Sequence, residues 1–254
     1  LAVDNDAPGK LLEEELARRL GWGRCSRVIW PEGCKDANET LIKHGPEAIK
    51  KIIDEAIPFP VEGVYWVNDL DIETLYERGL QPGLDTGWPS LDRHYSISQE
   101  SGELHIVTGI PGHGKSEFLD ALMVNLSKDE GWNIGLFSPE NFPLEYHASK
   151  LIEKYIGKPF SDDFKTRMTQ EELQTERQWL NEHFSFVMPD ENNLTVTAIL
   201  ELAKILVYRR GMKALVIDPW NEVDHSRPNG MTETEYISQS LTKVRRFSRI
   251  NNCH

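Results

Sequence analysis

The residues best suited to chemistry lie at positions 109–116, where the sequence reads GIPGHGKS. They follow an apolar run at 104–107, precede a helix-like stretch at 117–123 and fit the pattern G-x-x-x-x-G-K-[ST]. Glycines at these spacings let backbone N–H groups turn onto phosphate oxygens, while the positive end of the next helix faces the same anions. The spacing therefore predicts a loop that cradles the phosphates of a nucleotide. A glycine-rich surface turn is the alternative, which the flanking strand and helix patterns disfavour.

Within this loop, the residue types have distinct expected roles. Lys115 would reach the β- and γ-phosphates of ATP or another NTP, and Ser116 would hold Mg²⁺. The residues expected to line the nucleotide are Gly109, Pro111, Gly112, His113, Gly114, Lys115, Ser116 and Glu117.

The stretch 213–218, KALVID, is a near-continuous apolar run that ends in Asp218. Ligands of open α/β sheets collect at the carboxyl ends of the strands. Asp218 is therefore expected to accept a hydrogen bond from a water bound to Mg²⁺, which completes the metal site begun by Ser116.

A second carboxylate, Glu140, ends the stretch 135–140, GLFSPE. A carboxylate at this strand tip can orient and polarise the water that attacks the γ-phosphate, which fits hydrolysis rather than phosphoryl transfer to another substrate. Glu140 could instead cap the helix that opens near Pro143. We expect Lys115 and Glu140 to be the catalytic residues.

The surrounding pattern alternates strands and helices, as a parallel sheet with crossover helices requires. The predicted strands cover 102–108, 134–138, 184–188 and 214–217. The predicted helices cover 115–128, 143–156, 169–183, 195–210 and 232–251.

The amino end carries a different set of carboxylates. Residues 1–6, LAVDND, predict an apolar strand that ends in Asp4 and Asp6, followed by a turn and a helix. Acids at i and i+2 point to the same side of a strand and can share a divalent cation. A solvated strand end is an equally good interpretation. A second strand is predicted at 27–30, and a helix at 46–56.

Residues 57–61, IPFPV, indicate a domain boundary, since each proline removes a backbone donor and fixes φ. We expect one domain at 1–56, a linker at 57–90 and a second domain at 91–254. The linker includes a short amphipathic helix near 71–79, whose apolar face needs cover from its own domain or from a neighbouring subunit.

Composition limits the partners. The net charge of −13 argues against broad adhesion to nucleic acid but leaves room for a local basic channel. No apolar stretch approaches the roughly 20 residues that span a bilayer, so no membrane partner and a cytoplasm-like compartment are expected. The three cysteines, Cys25, Cys34 and Cys253, lack metal-ligand spacing and are expected to be reduced.

Three amino-terminal segments, AVDND at 2–6, ARRLG at 17–21 and KDANE at 35–39, resemble the second half of a TOPRIM domain. That fold binds metal in primases and topoisomerases. The resemblance implies that Asp4 and Asp6 bind Mg²⁺ together with a glutamate on an earlier strand, and that Asp36 occupies a further acidic position. The chain starts after that strand, so only part of the domain is expected.

The remainder resembles the RecA-like core of the DnaB-type hexameric replicative helicases, a group that includes Twinkle and the phage primase-helicases. The matching segments are GWPSLD at 87–92, GIPGHGKS, FSPE at 137–140, VID at 216–218 and VRRF at 244–247. The resemblance implies a hexameric ring that moves along single-stranded DNA, with ATP held between neighbours and an arginine supplied by the next subunit. In that family the arginine lies beyond the last helix seen here.

The loop at 224–230 occupies the place of a central-channel DNA loop in those helicases. Arg227 and Asn229 are the candidates for contact with DNA phosphate, and a plain surface loop is the alternative.

The sequence thus predicts an α/β protein, in which a RecA-like P-loop NTPase sheet with flanking helices follows a partial TOPRIM domain. The expected function is NTP-dependent DNA unwinding, which the complete protein could join to priming. A RecA- or RadA-type recombinase is one alternative, but recombinases lack a TOPRIM domain. A DNA-associated module that binds nucleotide without turnover is another, although such a module has no need of Glu140.

Overall fold

Two units make up the chain in the computed structural model, which describes residues 1–61, 63–161, 165–227 and 230–254. They are Leu1–Leu80 and Gln81–His254, and each has its own buried apolar cluster. The linker expected at 57–90 falls on both sides of this division.

Capping side chains start the first two helices of the amino-terminal unit. The carboxylate of Asp6 accepts the N–H of Gly9 at 2.8 Å, and that of Asp36 accepts the N–H of Glu39 at 2.8 Å. The helices are α1 (Ala7–Leu20), α2 (Ala37–His44), α3 (Pro46–Asp54) and α4 (Ile72–Arg78), and the strands are β1 (Ser26–Arg27) and β2 (Ile57–Pro58). Single 3₁₀ turns cover Trp22–Arg24 and Val67–Asp69.

The strands of this unit differ from the sequence prediction. The first residues form no regular ladder, although the Leu1 carbonyl accepts the N–H of Val28 at 2.9 Å. Conversely, Ile57–Pro58, expected to interrupt structure, pairs antiparallel with Ser26–Arg27. Phe59 donates its N–H to the Cys25 carbonyl at 3.2 Å, so Pro58 falls between ladder hydrogen bonds, where its missing N–H costs nothing.

The carboxyl-terminal unit alternates helices with parallel strands. Its elements are α5 (Pro89–Asp92), α6 (Lys115–Glu130), β3 (Asn133–Phe137), α7 (Leu144–Ile156), α8 (Gln170–His183), β4 (Phe184–Phe186), α9 (Val196–Arg210), β5 (Met212–Ile217) and α10 (Glu233–Asn251). The starts of α8, α9 and α10 come one residue later than predicted, because Thr169, Thr195 and Thr232 are their side-chain caps.

The three strands form one parallel sheet in the order β4-β3-β5. Leu136 of β3 lies opposite Phe186 on one side and Val216 on the other. Ile134, Leu136 and Phe137 are almost completely buried, as expected for a central strand covered on both faces. The predicted α/β architecture, a parallel sheet with flanking helices, is confirmed.

Residues 102–108 are the exception to the predicted strands, because they form no strand. The free edge of β5 is taken by His254, which donates its N–H to the Lys213 carbonyl at 2.7 Å and accepts that of Leu215 at 2.7 Å. Without a strand partner, Ile106 is 68% exposed.

No helix in the described part of the chain is both long and apolar enough to cross a membrane. Cys25, Cys34 and Cys253 are free thiols, and all are buried. Burial raises the pKa of the Cys253 thiol to about 12, which keeps it protonated and unreactive at neutral pH.

Candidate nucleotide-binding site

The glycine-rich loop leads directly into helix α6. Gly112 and Gly114 have φ angles of 76° and 80°, in the left-handed region that glycine adopts without strain, and Gly114 caps the helix. The Lys115 ammonium group donates to the carbonyls of Gly109 at 3.1 Å and Ile110 at 3.2 Å. The loop therefore folds around the end of the Lys115 side chain and leaves the amino end of α6 open to solvent.

A segment before the loop holds α6 in place. The buried Thr86 donates its N–H and hydroxyl to one carboxylate oxygen of Asp92, at 2.7 and 2.6 Å. Its carbonyl accepts from the Asn125 amide at 2.9 Å, and Trp88 stacks on Phe118 with ring centroids 5.3 Å apart. Since Phe118 lies near the amino end of α6 and Asn125 lies two turns further on, this segment anchors the helix along one side.

Two predicted carboxylates follow neighbouring strands at one edge of the sheet. Phe137 of β3 lies opposite Ile217 of β5, and Asp218 donates its N–H to the Phe137 carbonyl at 2.9 Å. Asp218 is half-buried, and Glu140 is exposed in the turn that follows β3. Because parallel strands end on the same side, both carboxylates lie at the carboxyl edge of the sheet.

A seam of charged residues joins α6 to α7. The Glu117 carboxylate lies 2.5 Å from the Lys154 ammonium and 3.5 Å from that of Lys150. The hydrogen bond from Lys154, followed by the charges of both lysines, lowers the pKa of Glu117. Deeper in the seam, His147 and Asp120 are buried and hydrogen-bonded at 2.9 Å. We call these five side chains the α6–α7 seam.

Glu117 is among the residues expected to line the nucleotide. Its carboxylate is engaged by the two lysines of α7, while its backbone lies in the first turn of α6. Sequence reasoning missed the seam, since its members come from separate segments.

Residues 83–251 match the model of the DnaB-like helicase C-terminal domain family. The chain belongs to that family. The predicted family resemblance is thereby confirmed, and with it the RecA-like class of the sheet.

The DnaB-like chain also resembles curated proteins of related function. It is 45% identical over its whole length to the "Twinkle homolog protein, chloroplastic/mitochondrial" of Arabidopsis thaliana, of which it covers 37%. A "Primase homolog protein" of the same plant is 49% identical over 24% of the chain and 20% of its own length. The "Probable plasmid replicative DNA helicase" of Chlamydia psittaci is 25% identical over 68% of the chain and 38% of its own length. The chain thus spans less than two fifths of each relative.

The donor set of the DnaB-like unit suits Mg²⁺ bound to nucleotide. Ser116 offers a hydroxyl at the start of α6, and Asp218 offers a carboxylate at the sheet edge. Hard cations such as Mg²⁺ prefer oxygen ligands and retain several waters.

The amino-terminal carboxylates are arranged differently. Asp4 and Asp6 both face the Lys35 ammonium, at 3.8 and 3.4 Å. The hydrogen bond from the Gly9 N–H, followed by that from Lys35, lowers the pKa of Asp6, and contact with Asp6 raises the pKa of Lys35. Asp36 caps α2. In the described residues, the three acids do not bring their oxygens within the spacing of one metal ion.

The predicted DNA loop is only partly described. Asn229 lies outside the described residues, whereas Arg227 is exposed. Before it, Asp224 accepts from the hydroxyl and N–H of Ser226, at 2.6 and 2.8 Å, and its carbonyl accepts from the Tyr236 hydroxyl at 2.9 Å. These bonds fix the start of the loop to α10.

One further cluster, Glu103, His105 and His254, was not predicted from the sequence, and within the described ranges it alone has three possible metal-ligand atoms within 4.8 Å. The ring nitrogens of His105 already have partners: the Tyr95 hydroxyl at 2.6 Å and His254 at 3.1 Å. Burial lowers the pKa of both histidines, which favours a neutral, hydrogen-bonded pair.

Proposed function

We propose that this chain belongs to a replicative DNA helicase that hydrolyses NTP while moving along single-stranded DNA. It would comprise part of the TOPRIM domain and the ATPase core that follows it. The observation that carries the proposal is that Asp218 and Glu140 follow neighbouring parallel strands at the same sheet edge, beside a phosphate-loop helix. A loop that only bound nucleotide would need no second carboxylate there.

In this proposal the loop and the first turn of α6 bind the phosphates. The backbone N–H groups of the loop and of the first turn of α6, other than at Pro111, would face the phosphate oxygens, and Lys115 would leave its carbonyl partners to contact the β- and γ-phosphates. Ser116 and Asp218 would hold Mg²⁺, which when bound neutralises phosphate charge.

Glu140 acts as the general base. It accepts a proton from the water whose oxygen attacks the γ-phosphorus, and the bond to the β,γ-bridging oxygen breaks to release the nucleoside diphosphate. Its exposure fits this role, because the water and the γ-phosphate have to reach it from outside the sheet.

We further propose that the complete protein forms a hexameric ring around the DNA. The sequence resemblance and the names of two relatives, which contain "Twinkle" and "replicative DNA helicase", support this. Arg227 and Asn229 would contact DNA phosphate from the channel side. The arginine that completes each nucleotide site would come from the next subunit.

For the amino-terminal unit we propose that Asp4, Asp6 and Asp36 form a TOPRIM-type Mg²⁺ site only when the ion draws their oxygens together, since in the described part of the chain these oxygens lie too far apart for all three acids to share one ion. The oxygen donors suit this ion. Lys35 already neutralises two of them, so a divalent cation would compete with its ammonium group. Priming by the complete protein would depend on this site.

The name of the Arabidopsis relative includes chloroplasts and mitochondria. We therefore propose an organellar compartment for the complete protein in place of the cytoplasm-like one expected from the sequence. Imaging a fluorescent fusion of the complete protein together with organelle markers tests this, and a diffuse cytoplasmic signal would contradict it.

The decisive experiment measures NTP hydrolysis by the full-length protein with and without single-stranded DNA. We expect turnover that rises when DNA is added, together with unwinding of a forked duplex. Nucleotide binding without turnover would favour the binding module instead. Turnover with DNA strand exchange and no unwinding would favour the recombinase.

A further inference from the structure

The turn that carries Glu140 is closed by the next residue. Asn141 donates its backbone N–H to the Ser138 carbonyl at 3.1 Å and its amide to the Ser138 hydroxyl at 2.9 Å. Ser138 is buried at the end of β3, so the turn is attached to the sheet on that side. The amide oxygen of Asn141 is left to accept a hydrogen bond.

Lys150 of α7 provides that hydrogen bond. Its ammonium group donates to the Asn141 amide oxygen at 3.2 Å and lies 3.5 Å from the Glu117 carboxylate. A lysine ammonium only donates, so it selects the oxygen of the amide and directs the amide nitrogen towards Ser138. One side chain thus touches both the residue after Glu140 and the residue after Ser116.

We propose that Lys150 is a positioning residue for NTP hydrolysis, which holds the Glu140 turn at a fixed distance from the first turn of the phosphate-loop helix. The proposal rests on the proposed function. Lys150 contacts Asn141 and Glu117, and we infer that it acts on Glu140 through them. Its loss would leave the phosphates bound but let Glu140 drift from the line of attack.

The other contacts of the α6–α7 seam hold α7, the helix that carries Lys150, in place against α6. Lys154, one turn further along α7, bonds Glu117 and lies 4.0 Å from Asp120, and the His147–Asp120 pair is buried. These contacts join α6 to α7 and do not include the turn. Because Glu117 stays ionised at neutral pH, it keeps the Lys150 ammonium close to the turn.

The test is a double-mutant cycle in the full-length protein, using Lys150→Met, Asn141→Ala and the combined variant. Lys150→Met keeps the aliphatic stem and removes the donor. We expect kcat to fall on the order of 10- to 100-fold, as for a misplaced catalytic group, while KM and the affinity for a fluorescent ATP analogue stay within about twofold. The two effects on kcat should be clearly less than multiplicative in the combined variant, because both changes remove the Lys150–Asn141 hydrogen bond, although Asn141→Ala also removes the amide contact with Ser138.

Two further variants separate positioning from structure. Lys150→Arg retains a charged donor and should recover most of kcat. Lys158→Met removes a lysine that pairs with Glu172 outside the seam, and should retain kcat. Melting curves of all variants show whether each is folded.

Three results would overturn the inference: unchanged kcat in Lys150→Met, effects of Lys150→Met and Asn141→Ala that multiply in the combined variant, or a loss of nucleotide affinity that accounts for the loss of rate. Failure of Lys150→Arg to recover activity while folded would also count against it.

The experiment also distinguishes the inference from the proposed function. If the unmodified protein did not hydrolyse NTP, both would be wrong. If it showed DNA-stimulated turnover that is insensitive to Lys150, only the inference would be wrong.

Discussion

The two units hold their predicted metal-binding carboxylates in different ways. In the carboxyl-terminal unit, Asp218 follows a strand of a parallel sheet, and its backbone N–H extends the ladder to Phe137. In the amino-terminal unit, Asp4 and Asp6 lie in a segment without a ladder, and both face Lys35. One carboxylate oxygen of Asp6 also accepts the hydrogen bond that caps α1.

This difference indicates how firmly the carboxylates of each unit are held in place before any ligand binds. The sheet fixes Asp218 through buried neighbours, so under the proposed function a metal bound with nucleotide would meet a carboxylate already in place. The amino-terminal acids are held by exposed charge pairs, which are individually weak and screened by salt. A cation proposed there would have to compete with Lys35 and with a helix cap. The predictions below test this contrast, in order of decreasing effect.

Replacement of Lys115 should have the largest effect. In the full-length protein, Lys115→Ala removes the charge expected on the β- and γ-phosphates and should abolish measurable NTP turnover, since both phosphate binding and the stabilisation of developing charge are lost. Steady-state phosphate release measures it. Lys50→Ala, on α3 of the amino-terminal unit, is a matched control. Retained turnover in Lys115→Ala would mean that the sheet-edge site is not the site of hydrolysis.

Glu140→Gln should separate binding from hydrolysis. The amide keeps the size of the side chain but cannot accept the proton of the attacking water, so turnover should fall about 10²–10⁴-fold. Nucleotide affinity, measured by titration with a fluorescent analogue, should stay within about twofold of the unmodified protein. Weakened binding with normal turnover per bound ATP would instead assign Glu140 to capping or to binding.

The parts of the fold and of the candidate site that can be predicted from the sequence are those in which a residue's partners lie close to it along the chain. The loop, the strand-end position of Asp218 and, to within one residue, the starts of α8 to α10 follow from residues a few positions apart. The contact of Lys150 with Glu117 depends on how two helices pack, which no local pattern encodes. The prediction of a strand at 102–108 was wrong for a related reason. An apolar pattern indicates a tendency to form a strand, but a strand also needs a neighbouring backbone with which to pair.

Gly135→Ala should disturb the packing of the parallel sheet that carries Asp218. A Cβ there would lie 2.5 Å from the Met212 sulfur and 3.3 Å from a Leu215 methyl, so these buried side chains would have to repack between β3 and β5 at a cost of about 1–3 kcal/mol. Thermal unfolding should show the loss, and turnover should fall if the repacking displaces Asp218 or Glu140 at the strand ends.

The matched variant for Gly135→Ala lies in the other unit. Gly33 has φ +78° and open space around its Cβ position, so Gly33→Ala strains a turn without touching a core. It should lower stability but leave NTP turnover unchanged. Equal effects of the two variants on turnover would contradict the contrast between the units.

Arg227→Ala should alter DNA binding only modestly. If this exposed side chain contacts DNA phosphate, its removal should lower the salt dependence of single-strand binding by about one unit of slope. Fluorescence anisotropy over a range of salt concentrations measures the slope. Arg209→Ala, on the last turn of α9, is the control. An unchanged slope for Arg227→Ala would make the loop at 224–227 a plain surface loop.

The smallest expected effect concerns Asp6, and its sign follows from its pKa. The Gly9 N–H and then Lys35 favour the ionised form, so the pKa of Asp6 is lower in the folded chain than its ordinary value of 3.8. The resulting stabilisation is complete above that value and is lost as pH falls through the lower folded-state pKa. Asp6→Asn keeps a good cap but removes the charge. Its melting temperature should therefore lie slightly below that of the unmodified chain at pH 5 to 7, with a gap that closes on acidification. A gap that persists at the lowest pH would mean that the cap geometry, and not the charge shared with Lys35, holds this segment, and Lys35 would then be no barrier to a divalent cation.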